Sequence, residues 1–558
     1  MRPMTGKTSR LDEKIIQYGI IVVFICTSLA YALMTPAYEG FDETAHYSYI
    51  SYLAETGRIP DFRSTKIDAN VENDQKLIPK PYNSFPPYQD NGGITYYRFF
   101  NEMGNEDRTA AYQKLWINGT AETHYQEGTT LNWQGQHPPL YYITMLLPYH
   151  LSKDWPTGYK LIFLRVCSLA LVWLGMYIWI LALRRFTLQE TRMFFLSGAA
   201  VILFIPSFYF DLARLGNDSL TALLSSLCFY FIVRVYMGNK TNYKYIIYLS
   251  ITIGLGLLTK MLFVPIMGGC AAFVMITGFR RRVGIRTLLI NLSILILVPL
   301  TISGWWYNLF HARYGMYLGS AEFYTFGTIG KASVNLSLVE YLIEVGRSTT
   351  SFIKTFLWCG TWSWLKLPYR YYVVFIPIPF IVLNNVRCVW KKSGEDVRQI
   401  TIAASLVILA LLAGFAHHAA TRIAFTGRGS GTGGYYLFAA WPFLAIIFSY
   451  VMSAKNRVLL ILTSFIFGIL IIFEMEGFWR EVLAYSGIWY KTSTNTFGVG
   501  YVAPTLTNIQ LALARHEQLA FSLPAMILFL ASVQLKLGIL IYVNLIFGKA
   551  LLSRNGNI

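Results

Sequence analysis

Residues 15–34 read IIQYGIIVVFICTSLAYALM and are followed at 35–47 by TPAYEGFDETAHY. The first stretch carries no charge over twenty residues, the length at which a helix crosses about 30 Å of hydrocarbon. In lipid every backbone N–H and C=O must be paired within the segment, so such a run is helical. Barrel strands would be shorter and would alternate polar with apolar residues. The stretch is too long for a removed signal peptide and lacks a small-residue cleavage site, so it reads as a retained first span. Similar runs predict further spans at 159–183, 193–210, 218–237, 244–259, 262–279, 288–306, 370–387, 399–416, 435–452, 458–474 and 523–546. The fold class expected is an all-α polytopic membrane protein with about 12 transmembrane helices.

Composition agrees: of 558 residues, 54% are hydrophobic and 14% charged, more apolar surface than one soluble core hides. The net charge of +18 would suit nucleic acid if it formed a patch, but it does not. Between 37 and 157, fifteen acids face nine bases, a balance of −6. The remaining bases cluster in short loops, as at Arg184, Arg185 and Arg192 or Arg280, Arg281, Arg282 and Arg286. Such loops are retained in the cytoplasm. Residues 1–14 and the C-terminus are then cytoplasmic, with long outer segments at 37–157, 307–367 and 474–521. The first of these is expected to carry interfacial helices. The cytoplasmic loops show no Gly-rich phosphate cradle, which argues against a nucleotide-sugar enzyme on that side. No internal repeat is visible. Cys26, Cys167, Cys228 and Cys270 sit singly in apolar runs, without disulfide or zinc spacing.

Directly after the first span stand Asp42 and Glu43. On a helix, Asp42 and His46 are i,i+4 neighbours, as are Glu43 and Tyr47. A carboxylate half shielded by aromatic rings suits a general base; the alternative is that both acids merely begin an interfacial helix, whose N-terminal dipole favours them. Cations expected on the same side are Lys260, Arg165, Arg313 and Arg428, each a candidate phosphate ligand, with pairing to a loop carboxylate as the alternative. Asp42, Glu43, His46 and His137 could also hold a divalent ion, although no spacing matches a closed site. The run 427–436, GRGSGTGGYY, is a glycine-rich connector or a mobile gate. Lys536, inside the last span, is left without an explanation.

Several motifs recur in order: Asp42-Glu43; Gln136-His137-Pro138-Pro139-Leu140-Tyr141-Tyr142; Arg165; Asn217-Asp218; Leu258-Thr259-Lys260; and Gly304-Trp305-Trp306-Tyr307-Asn308 with Arg313-Tyr314-Gly315. This ordered set, over roughly 15–315, resembles the glycosyltransferase C superfamily. It is most like the aminoarabinose transferases, the protein O-mannosyltransferases and related uncharacterised bacterial membrane proteins. The resemblance implies a transmembrane module at 15–315, a C-terminal transmembrane region at 316–558, and a polyprenyl-phosphate or -diphosphate sugar as donor. It also implies an extracytoplasmic lipid, glycan or protein as acceptor and Asp42 as the essential acid. Around these would lie a pocket including His46, His137, Tyr141, Tyr142, Asn217, Asp218, Trp305 and Trp306. His137 stands where the aminoarabinose transferases often have Lys, which puts the same donor sugar in doubt. A competing class is a non-catalytic transporter or lipid-handling protein, which would show charges in mid-span and unwound helices.

Overall fold

The computed structural model describes residues 10–79, 94–118, 124–238, 243–317, 334–360, 393–429, 433–450, 457–488 and 502–555, with isolated positions from 367 to 390. The protein is an all-α polytopic membrane protein. Among the described residues, eight helices are long and apolar enough to cross a membrane. They lie within α1 (Arg10–Met34), α8 (Thr157–Leu183), α11 (Asp218–Met237), α13 (Phe263–Arg280), α14 (Ile285–Tyr314), α16 (Glu395–Thr426), α18 (Arg457–Tyr485) and α20 (Ser522–Asn555). Two shorter apolar pieces accompany them, α12 (Lys244–Leu257) and 434–448, whose helical end is α17 (Trp441–Phe448). The span expected at 370–387 falls largely outside the described residues.

Two expectations about the spans are corrected. The run 193–210 is not one helix but two, α9 (Gln189–Ile202) and α10 (Pro206–Leu212), bent by 77° at their junction. Pro206 lacks a backbone N–H and keeps the preceding residue out of the helical region, which breaks the run. Ile205 accordingly sits at φ −100°, ψ 107°. Second, α14, α16 and α18 run 8–11 residues past the apolar stretches that predict them, roughly 12–16 Å further at 1.5 Å per residue. Gly315 and Gly427 end the first two at φ 73° and 66°, a conformation that stops a helix cheaply only at glycine.

Between α1 and α8 lies the long first loop, which does carry short helices: α2 (Glu43–Thr56), α3 (Ala69–Leu77), α4 (Tyr96–Asn101), α5 (Asn105–Trp116), α6 (Leu140–Thr144) and α7 (Leu146–Leu151). Its frame is a two-stranded antiparallel sheet of β1 (Lys66–Asp68) and β2 (Glu127–Leu131). Glu72 on α3 binds β2 by accepting the N–H groups of Thr129 at 2.9 Å and Thr130 at 2.8 Å. Ser51 on α2 donates to Asp68 at 2.6 Å. Just after β2, the Asn132 amide donates to the Ala45 carbonyl at 3.1 Å, which lays residues 132–137 across the start of α2.

Deep in the bundle, Lys536 of α20 donates to both carboxylate oxygens of Glu474 on α18, at 2.8 and 2.7 Å. Both side chains are fully buried. The charge left unexplained in the last span therefore has its counter-ion on the preceding long helix, with the short α19 (Leu506–His516) between the two in sequence.

Candidate functional site

Asp42 is the N-cap of α2 and adopts the left-handed conformation, φ 57° and ψ 11°. That region is uncommon outside glycine, and Asp and Asn enter it most readily among the rest. Asp42 is partly exposed, whereas Glu43, Asp211 and Asp218 are 0%, 1% and 0% exposed. The Trp133 indole donates to the Asp42 Oδ1 at 2.7 Å. Burial pushes the Asp42 carboxyl above the ordinary carboxylate range, against the pull of Arg214, of the Trp133 bond and of Lys260.

Glu43 turns the other way. Arg165 on α8 donates to its Oε1 through Nε at 2.7 Å and to its Oε2 through Nη2 at 2.5 Å. The remaining Arg165 donors go to the carbonyls of Ala32, Thr35 and Pro36 at 3.0, 2.5 and 2.8 Å. Five N–H groups thus have five acceptors, so of the two readings open for Arg165 the structure has the pairing with a loop carboxylate and not the phosphate ligand: it braces α8, the end of α1 and the start of α2. Glu43 also accepts the Leu215 N–H at 3.1 Å, which fixes the turn between α10 and α11 against α2.

That turn brings two residues the sequence reading missed. Arg214 donates to Asp211 at 2.9 Å, to Asp218 at 2.7 Å and to the Phe41 carbonyl at 2.7 Å. The other oxygen of Asp218 accepts from Lys260, at the turn after α12. Asn217 donates to the Thr259 carbonyl at 3.5 Å, and Leu140 to that of Leu258 at 3.0 Å. These two ties bring Asp218 to Lys260 and the segment His137–Leu140 to the same turn. A Cβ at position 216 would lie 2.6 Å from the Arg214 Nη1, so glycine there leaves room for the guanidinium. Lys260 also stands 4.8 Å from the centroid of the Tyr436 ring, and the neighbouring Tyr435 stacks on Phe41 at 5.6 Å.

His46 faces this network. Its Nε2 lies 3.5 Å from the Arg214 Nη1, which only donates, so Nδ1 carries the proton and donates to the Tyr142 hydroxyl at 3.0 Å. Burial, then Arg214, hold His46 well below the usual imidazole range. His137 is pushed down to about 3 by burial and then by Lys260. Both rings are neutral near pH 7. Tyr49 stacks on Tyr142 at 3.5 Å and donates to the His137 carbonyl at 3.2 Å.

Asp42, His46, His137, Tyr142, Asp218 and Lys260 are thus brought together, with Asn217 as a backbone tie. Other expected members lie elsewhere. Tyr141 pairs with Ser168 at 2.7 Å. Trp306 packs in an apolar cluster with Phe62, Leu258, Phe310 and Tyr314, and Trp305 is 48% exposed on the outside of α14. Arg313 donates to the Pro60 carbonyl at 3.2 Å and sits 3.9 Å from Asp61. Arg428 is exposed next to residues 430–432, which lie outside the described part. Among the described residues, no group of three or more His, Cys, Asp or Glu is placed to hold a metal ion. The donor set expected for one is divided, since Glu43 belongs to Arg165 and His46 to Tyr142 and Arg214.

The result is a network of two buried carboxylates, Asp211 and Asp218, bound to two cations, Arg214 and Lys260, with the partly exposed Asp42 beside it. The model of the DUF2142 family, described as predicted membrane proteins, matches residues 25–429, which include every member of it. The chain belongs to that family. Compared with curated proteins, this DUF2142 chain finds no match. Among solved structures it is similar to the crystal structure of ArnT from Cupriavidus metallidurans bound to undecaprenyl phosphate, with 12% identity over 85% of this chain and 76% of that one. The TM-score is 0.36, too loose a likeness to carry a functional argument.

Proposed function

We propose that this DUF2142 protein is a glycosyltransferase that moves a sugar from a polyprenyl-phosphate carrier to an extracytoplasmic acceptor, with inversion. The observation that carries the reading is the partly exposed Asp42 carboxylate, held beside the buried Arg214–Asp218–Lys260 network just past the end of the first span. The ordered motifs over 15–315 support it, as do the basic clusters in the short loops, which favour an outward-facing position for this end of α1 in an inner membrane. In the proposed step, Asp42 takes the proton of the acceptor hydroxyl as its oxygen bonds to the anomeric carbon. The bond from that carbon to the phosphate oxygen breaks, and its electron pair leaves with the phosphate. Lys260 has donors beyond the one on Asp218 and meets the departing charge, while Arg214 adds a fixed positive field. His46 and His137 stay neutral and orient substrate hydroxyls. Glu43, placed with Asp42 in the catalytic pair from sequence, acts through Arg165 as a positioning residue.

Asp42→Asn tests this directly, because Asn tolerates the left-handed backbone as Asp does. Transfer from a polyprenyl-phosphate sugar by the purified protein should fall by about 10²- to 10⁴-fold. Undiminished transfer by a folded variant would remove Asp42 from the role.

A second reading, transport or lipid handling, is favoured by the 77° break between α9 and α10 and by the buried Glu474–Lys536 pair. Proteoliposomes separate the two. Solute or lipid flux without sugar transfer would favour transport, and transfer without flux the enzyme.

A further inference from the structure

α15 (Leu338–Leu357) lies at the same end of the bundle as the site and belongs to no span. It opens with a capping box, Ser337 donating its N–H to Glu340 at 2.8 Å and accepting the Glu340 N–H in return at 3.3 Å. Such a start needs no neighbour to satisfy it. Glu340, Glu344, Arg347 and Lys354 within twenty residues are too many charges for hydrocarbon.

Its two sides differ sharply. On the inner side Glu344 accepts the Gly429 N–H at 2.7 Å and Thr355 accepts the Gly434 N–H at 2.8 Å. A Cβ at 429 would come within 1.9 Å of the Glu344 carbonyl oxygen, and one at 434 within 2.1 Å of that of Phe352, so this approach requires glycine at both positions. Phe356 stacks on Phe438 at 4.9 Å, and Ser207 of α10 donates to the Thr355 carbonyl at 2.8 Å. The inner side therefore holds the segment that carries Tyr435 to Phe41 and Tyr436 to Lys260. At 100° per residue the outer side holds Leu338, Val339, Leu342 and Ile353, exposed by 73%, 66%, 57% and 52%. No charged side chain falls among them; Arg347 and Lys354 border the stripe.

We propose that α15 is an interfacial lipid-binding helix, its apolar stripe sunk in the headgroup–acyl boundary of the bilayer and its inner face clamping Gly429 and residues 433–438 against the site. A stripe of this kind beside membrane spans continues their lipid-facing surface, and four charges hold the helix at the interface rather than across it. The proposal does not depend on which reaction the site performs.

The test uses the full chain with its six cysteines replaced and a bimane fluorophore on a new cysteine at Leu342, Ile353 or, as a control, Glu340. The protein is placed in vesicles of phosphatidylcholine and phosphatidylglycerol containing acyl-dibrominated lipid. Labels at 342 and 353 should be quenched by bromine near the headgroup at least about twice as strongly as by bromine near the bilayer centre, with little quenching at 340. No quenching at 342 and 353 would place the stripe in water or against a second copy, and strongest quenching by deep bromine would make α15 a span; either overturns the proposal. The double variant Val339→Lys, Leu342→Lys should loosen the clamp and speed tryptic cleavage after Arg428 about 5-fold in vesicles. An unchanged cleavage rate would overturn the coupling.

Discussion

Arg165 bonds Glu43 and Arg214 precedes the residue whose N–H bonds it, both are buried and both are bound to carboxylates, yet they are arranged to different ends. Around Arg165 the accounts of charge and hydrogen bonds close: one acid, one base, five donors and five acceptors. Around Arg214 they stay open. Two buried carboxylates bind two cations with the partly exposed Asp42 beside them, and the Arg214 Nε and one Asp211 oxygen have no hydrogen-bond partner among the described residues. A closed cluster costs too much to disturb and so serves as structure. An open one retains unsatisfied polar atoms that a substrate can engage.

Breaking the closed side should give the largest effect on stability. Arg165→Met leaves Glu43 buried with no counter-ion and only the Leu215 N–H as a donor, a loss of about 3–5 kcal/mol. It should appear as a large fall in the thermal midpoint in detergent. Because three of the five bonds run to carbonyls, exchanging the pair as Glu43→Arg with Arg165→Glu should not restore the fold.

The open side should respond in chemistry instead. Trp133→Phe removes a hydrogen bond that favours the Asp42 carboxylate. Transfer at pH 7 should drop about 10-fold, the worth of one bond to a charged group. Burial already raises the Asp42 carboxyl, so activity is lost as pH falls through a value above the ordinary carboxylate range. The variant moves that acid limb higher still, and a pH profile of kcat/KM reads it. A limb that stays in place would detach Trp133 from the base.

The smallest effect has the opposite sign. A carboxyl whose folded pKa is raised contributes stability below its unfolded pKa and loses it as pH rises through the folded one. At neutral pH the Asp42 charge is therefore a burden on the fold. Asp42→Asn should raise the thermal midpoint while lowering transfer, the sign of a group kept for function. A fall would show Asp42 to be a structural cap.

Much of the fold was legible beforehand, because the length of an apolar run reports directly on the bilayer. Asp42 and Lys260 were visible as charges at the ends of apolar runs, His46 by its i,i+4 spacing from Asp42, and His137 and Asp218 only through the ordered motifs of the resemblance. Asp211 and Arg214 were not. They follow a run that reads as one span until Pro206 is seen to break it, and only the 77° bend turns them toward α2. The fate of Arg165 was equally hidden, since a buried guanidinium looks the same in sequence whether it awaits a phosphate or has already filled its donors with carbonyls. Trp306 shows the reverse error, an aromatic residue in a suggestive motif that packs with four apolar neighbours.

The pairing of Glu474 with Lys536 constrains how the chain is made. Either helix alone would bring an uncompensated charge into lipid, at a cost of about 3 kcal/mol on an insertion scale. α18 therefore carries that cost until α20, some sixty residues later in synthesis, supplies the counter-ion. A chain stopped before Ser522 would carry a stranded acid in its interior, which gives cellular quality control a means of recognising an unfinished protein.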